Sequence, residues 1–211
     1  MLLLSCPASA ASPLERVYED ARRHPIPAAA TVVGSGFFIG PTTVLTSAHV
    51  LAGCASFGVE NKHMGWLPAQ RGRIIADRDA ALLTVSVPSD AVLSIASDAT
   101  AGDFSILGFP ATARGDTEPV RVRAERVEMT DDLVLLLTGN VPAGFSGGPV
   151  IDGKGRAAAI LTGRMNSARQ ELAASPISVF RGGLDIREDQ PPSAPAQMVA
   201  PSLATVKVRC K

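Results

Sequence analysis

Three short blocks of this 211-residue chain hold residue types that can do nucleophilic chemistry together. In Val44-Leu45-Thr46-Ser47-Ala48-His49-Val50-Leu51, an apolar run passes through two small residues to a histidine. The small step permits a tight turn, which presents His49 at a strand's end. Alone, a histidine beside apolar residues reads more simply as a hydrogen-bonded structural residue. In Ala76-Asp77-Arg78-Asp79-Ala80-Ala81-Leu82-Leu83, carboxylates stand immediately before an apolar strand. A carboxylate drawn into an interior needs a partner, and an imidazole N–H suits it. Asp77 and Asp79 share strand parity, so alternation does not separate them; Asp79 is favoured because it abuts the apolar run, and the bland reading of either is a solvated turn residue. In Gly144-Phe145-Ser146-Gly147-Gly148-Pro149-Val150, a serine sits among glycines beside a strand. Such a serine can project its oxygen while nearby backbone N–H groups converge on a developing oxyanion. Gly144 tolerates the backbone that such a nest requires, and Gly147 and Gly148 permit close approach. Each block alone is ordinary. Their joint occurrence, in the order His, Asp, Ser, is specific.

The elements that must position these residues read as short strands. The chain has 19 glycines and 16 prolines, an abundance of turn residues that favours many short strands over long helices. Strand-like runs fall at 31–33, 37–39, 44–47, 73–75, 81–87, 105–107, 120–129, 133–137, 149–151, 158–161 and 175–179, with no alternation of strand and helix. This pattern predicts an all-β barrel or sandwich. A linker-like stretch, Asp189-Gln190-Pro191-Pro192-Ser193-Ala194-Pro195, follows, and beyond it Thr205-Val206-Lys207-Val208-Arg209 alternates as one more strand would. Residues are 46% hydrophobic and 19% charged, which excludes a disordered chain. Twenty basic and twenty acidic side chains balance, and aromatics are 4%, so neither a basic patch nor a stacking platform for nucleic acid is expected.

The order His, Asp, Ser is that of the chymotrypsin-type triad and not that of subtilisins or α/β-hydrolases. The chain resembles trypsin-like serine proteases of the chymotrypsin fold, closest in style to the bacterial HtrA and V8-like branch. The resemblance is carried by Gly34-Ser35-Gly36-Phe37, Leu45-Thr46-Ser47-Ala48-His49, Asp79-Ala80-Ala81-Leu82-Leu83 and Phe145-Ser146-Gly147-Gly148-Pro149. It implies two antiparallel β-barrels with the active site in the cleft between them: residues 28–100 with His49 and Asp79, and residues 101–187 with Ser146. It implies a serine endopeptidase acting on peptides or proteins through an acyl-enzyme. His49 would be the base, Asp79 its orienting carboxylate and Ser146 the nucleophile, with the backbone N–H groups of Gly144 and Ser146 as oxyanion hole. The alternative is a latent or proteolytically silent binding protein on the same fold. Substrate contacts are implied at Asn140, Leu161, Thr162 and Gly163, with Ala173 and Ala174 as a further pocket wall. Phe145 replaces the aspartate of animal trypsins, and neither Asn140 nor Leu161 matches the residues that select basic or glutamate side chains. A small or medium apolar residue before the cut is the expectation. The remaining length has no room for the PDZ domain of many HtrA proteases.

No cofactor or metal is expected, since His49, Cys54 and His63 fit no zinc spacing. Residues 1–27 read as a signal or lipoprotein-like segment with a lead-in: Met1-Leu2-Leu3-Leu4 is followed by Ala8-Ser9-Ala10, and Leu3-Leu4-Ser5-Cys6 resembles a lipobox with Cys6 as lipidation candidate. A misplaced start is the other reading. A secreted or periplasmic location follows, without a membrane span. If Cys6 is set aside, Cys54 and Cys210 remain, either as a disulfide or as two free thiols. Residues 188–211 read as a Pro-rich linker and C-terminal tail.

Overall fold

A computed structural model describes residues 32–99, 102–114, 117–184 and 200–210. The expected leader (residues 1–27), Cys6 and the linker at 188–199 lie outside the described residues. Among the described residues, twelve strands form two closed antiparallel barrels. The first contains β1 (Val32–Gly40), β2 (Thr43–Ser47), β3 (Phe57–Asn61), β4 (Gly65–Ile75), β5 (Ala80–Val85) and β12 (Thr205–Cys210), in the order β1-β12-β3-β4-β5-β2. The second contains β6 (Asp103–Gly108), β7 (Val120–Met129), β8 (Leu135–Thr138), β9 (Pro149–Ile151), β10 (Ala157–Asn166) and β11 (Glu171–Pro176), in the order β10-β11-β8-β7-β6-β9. No helix among the described residues is long and apolar enough to cross a membrane.

The apolar runs explain why two barrels pack together instead of standing alone. Successive strand residues point to opposite faces. Phe38 and Val44 fill the first barrel, with Val59, Leu83, Val206 and Val208. Ile106, Val150 and Leu161 fill the second, with Phe104, Leu135 and Leu172. Their immediate neighbours Phe37, Leu45, Leu107, Ile151 and Ile160 face the other way and form one shared core between the barrels. Strands buried on both faces must be apolar at consecutive positions, as these are.

Several expectations need correction. The run at 175–179 is not a strand: β11 ends at Pro176, and Ile177–Phe180 forms a helical turn. Proline cannot donate to a continuing ladder. Strand β11 also begins earlier, at Glu171, where alanines gave no β signal. The described part of the tail is not outside the barrels. Its residues Thr205–Cys210 pair with both β1 and β3 and close the first barrel, which therefore does not end at residue 100. Val206 and Val208 point into the core, and this burial draws the segment in.

A disulfide joins Cys54 to Cys210, 156 residues apart, with Cα atoms 5.5 Å from each other. A cross-link over so long a loop restricts the unfolded chain strongly, by about 2–5 kcal/mol on the chain-entropy account. Reduction of the folded protein, or Cys54→Ser with Cys210→Ser, is expected to lower the unfolding free energy from urea titration by that amount, read by tryptophan fluorescence and circular dichroism. A second anchor is the turn between β9 and β10. Burial raises the Asp152 pKa, but hydrogen bonds from the backbone N–H groups of Arg156 and Lys154 and from the Arg156 guanidinium outweigh it and hold the carboxyl below its ordinary 3.8. A depressed folded-state pKa adds stability that is present above the unfolded value and lost as pH falls through the folded one. Asp152→Asn is therefore expected to cost about 1–3 kcal/mol at neutral pH, and the difference from wild type should shrink below pH 3.8 in acid unfolding curves.

Candidate active site

Strand β2 ends at Ser47, and the chain turns into one short 3-10 segment, Ala48–Leu51, whose Val50 and Leu51 are buried in the first-barrel core. That anchor fixes His49 at the barrel's rim. Strand β4 ends in a second 3-10 turn, Ala76–Arg78, and Asp79 follows with φ +48° and ψ +41°. This left-handed conformation is costly for most residues and, glycine aside, is tolerated best by Asn and Asp. It carries the Asp79 side chain inward, where its solvent exposure is zero.

The two turns are locked to each other. The Ala48 N–H donates to the Asp79 carbonyl at 3.0 Å. The His49 N–H donates to Asp79 Oδ1 at 2.9 Å, and His49 Nδ1 lies 2.7 Å from Oδ2. Both carboxylate oxygens are thus met by one residue. An ionised carboxylate only accepts, so the ring proton on this edge sits on Nδ1. Asp77, the other candidate, has a side chain 76% exposed and lies 3.5 Å from the Arg78 guanidinium.

Ser146 belongs to the loop between β8 and β9. Glycines let this loop press against the first barrel. A Cβ on Gly147, where φ is +84°, would collide with the Ser35 carbonyl and the Thr46 hydroxyl and lie 2.9 Å from the Ser47 nitrogen. A Cβ on Gly34 would meet Val50 at 2.6 Å and the Ser146 carbonyl at 2.9 Å. Ser146 and Gly147 therefore rest on β1 and the end of β2, beside the turn that carries His49. Hydrogen bonds complete the contact: Ser35 N–H to the Ser146 carbonyl at 2.8 Å, Gly147 N–H to the Leu161 carbonyl at 2.7 Å, and the Ser47 hydroxyl to the same carbonyl at 3.1 Å.

The expected substrate contacts separate. Asn140 is exposed in the loop after β8. Leu161 is buried in the second core, and both its backbone groups are used within the protein, its N–H donating to Gly148 at 2.9 Å. It braces the serine loop and is not available as a contact. The Thr162 side chain is also buried, with its hydroxyl donating to the Ala173 carbonyl at 2.7 Å. Ala173 and Ala174 have no exposure and do not line an open pocket; Ala174 packs in the second core. Strand β10 pairs with β9 only at Ala157, Ala159 and Ile160, so from Thr162 onward that edge has no partner strand among the described residues. Cys54, bound in the disulfide, is not a metal ligand. Ser35 was part of a legible Gly-Ser-Gly motif, but nothing in the sequence assigned it a task.

The model for the trypsin-like peptidase domain matches residues 34–160. The chain belongs to that family. Serine protease Rv3671c of Mycobacterium tuberculosis is 30% identical over 145 residues, covering 62% of this chain and 36% of that protein. An uncharacterized Sinorhizobium fredii protein, y4bJ, is 28% identical over 145 residues, covering 66% of this chain and 23% of its own length. The chain thus spans about a quarter to a third of the curated relatives it matches. The solved active form of the Rv3671c protease superposes with a TM-score of 0.57 at 26% identity, over 79% of this chain and 78% of that one. A serine endoprotease from Yersinia pestis gives 0.63 at 18% identity, over 84% and 66%, a likeness of fold. The two closed barrels of this peptidase domain are those of the chymotrypsin-like fold. Its serine loop tolerates no side chain at Gly147: Gly147→Ala is expected to lose about 2–4 kcal/mol from overpacking and a left-handed backbone. Gly153→Ala, which would meet open space, should stay within about 0.5 kcal/mol. Thermal unfolding of the two variants beside wild type checks this.

Proposed function

We propose that this chain is a serine endopeptidase in which Ser146 attacks the peptide carbonyl, His49 acts as base and then acid, and Asp79 holds the imidazole. The observation that carries the reading is the doubly hydrogen-bonded His49–Asp79 pair, beside a serine on a glycine-cradled turn. With Nδ1–H donated to the carboxylate, neutral His49 keeps its lone pair on Nε2, the nitrogen a base needs. Proton transfer from the Ser146 hydroxyl makes an imidazolium, and Asp79 stabilises that cation without taking the proton. The negative oxygen of the tetrahedral intermediate is received by the N–H groups of Gly144 and Ser146. His49 then protonates the leaving amine, and water repeats the sequence on the acyl-enzyme.

The substrate is a peptide chain in extended form, laid along the free edge of β10 at Thr162 and Gly163, with Asn140 at the pocket's base. Added strands bind through main-chain hydrogen bonds and so accept many sequences. A small or medium apolar side chain before the cut is the preference to test first. A secreted or periplasmic setting agrees with the signal-like opening residues, with Cys6 as the residue a lipid would occupy, and with the cystine, which persists in oxidising compartments.

A fluorophosphonate probe should label wild type, and labelling should vanish in Ser146→Ala. His49→Ala should slow it by about 10³-fold or more. A peptide library and matched esters then separate endopeptidase from esterase. Absent labelling of folded wild type, or labelling that survives in Ser146→Ala, would sink the proposal.

A further inference from the structure

Every carbonyl of the serine loop from Ala143 to Ser146 is held by a donor. Ala143 accepts from the Ala111 N–H at 2.7 Å, and Phe145 from the Gly148 N–H at 2.9 Å. Gly144 accepts from the Ser35 hydroxyl at 2.7 Å, and Ser146 from the Ser35 N–H at 2.8 Å. Among the described residues, the N–H groups of Gly144, Phe145 and Ser146 donate to no protein acceptor. In a trans peptide the carbonyl and N–H of one unit point in opposite directions. Fixing the Ala143 carbonyl therefore aims the Gly144 N–H the other way, and fixing the Phe145 carbonyl does the same for the Ser146 N–H.

The unit between these two, from Gly144 to Phe145, sets their relative angle, and it is the one held by a side chain. It needs holding, because Gly144 sits at φ +98° and glycine resists rotation least. The clamp comes from the other barrel. Ser35 is on β1, has no exposure, and uses each of its polar atoms: its carbonyl accepts from the Thr46 hydroxyl at 2.7 Å. Its hydroxyl oxygen accepts from the Phe109 N–H at 2.9 Å. Because that N–H can only donate, the hydroxyl proton is left for the Gly144 carbonyl, and the direction of the bond is forced.

We infer that the Ser35 hydroxyl is a positioning residue that sets, from the first barrel, the angle between the two oxyanion-hole N–H groups of the second. The inference rests on the peptidase reading. Its consequence is kinetic: the hydroxyl acts where charge develops and leaves the His49–Asp79 pair untouched.

The test is saturation kinetics of fluorophosphonate labelling at Ser146 across pH, with wild type, Ser35→Ala and the shape-preserving Ser35→Cys. The phosphonyl oxygen takes the oxyanion position as fluoride leaves. The maximal rate should fall about 10- to 100-fold in both variants, somewhat less than losing a whole donor. The half-saturating probe concentration and the pH midpoint should stay at their wild-type values, and near-ultraviolet circular dichroism should be kept. A rate equal to wild type in both variants overturns the inference, as does a shifted pH midpoint. If Ser35→Ala unfolds, Ser35→Cys decides alone; unfolding of both also counts against it, since the hydroxyl would then hold the fold and not the loop. Unlabelled wild type overturns the peptidase reading instead.

Discussion

A fully dehydrated carboxylate is the constraint on which this structure turns. Removing an ionised group from water costs several kcal/mol unless partners meet it in good geometry. Asp79 has no exposure, and its two oxygens are satisfied by the backbone and ring of a single residue, His49. That economy dictates much around it. The backbone at Asp79 must adopt a left-handed conformation to turn inward, and the Ala48 N–H must pair with its carbonyl. The β2 end and the β4–β5 corner must then stay in fixed register, which the β2–β5 ladder from Thr43 to Ser47 enforces.

The second barrel has the opposite task. It supplies little side-chain chemistry beyond Ser146 and much backbone. Its loop approaches β1 so closely that glycine is required at 147, and a Cβ at 148 would strike the Leu107 carbonyl. The shared core of Phe37, Leu45, Leu107, Ile151 and Ile160 presses the two halves together, so that a strand of one barrel can orient peptide units of the other.

What could be read beforehand follows from how local each signal is. Strands β7 and β9 were legible to the residue, because their alternation and flanking turns are written in consecutive positions. The pairing of His49 with Asp79 was legible, and Ser146 could be named as a candidate beside it, because each sits in a block whose residue types make sense only together. Strand β3 and the first half of β4 were not read, since Gly58 and the exposed face of β4 carry little β signal; Gly58 is glycine to leave room for the Trp66 ring. The contacts of Ser35 with Gly144 and of Ser47 with Leu161 join residues more than 100 positions apart, and no local pattern encodes them.

Strand β12 inserts between β1 and β3, yet it follows the whole second barrel in the chain. During synthesis, the sheet that carries His49 and Asp79 therefore emerges with two open edges and waits, while the barrel bearing Ser146 has every strand it needs to close. Domains fold largely in the order they are made, and here that order leaves the half that carries His49 unfinished until β12 emerges. By topology, the frame that holds His49 beside the Ser146 loop is complete only when β12 docks and Cys210 reaches Cys54. Strand order thus doubles as a delay in completing the first barrel.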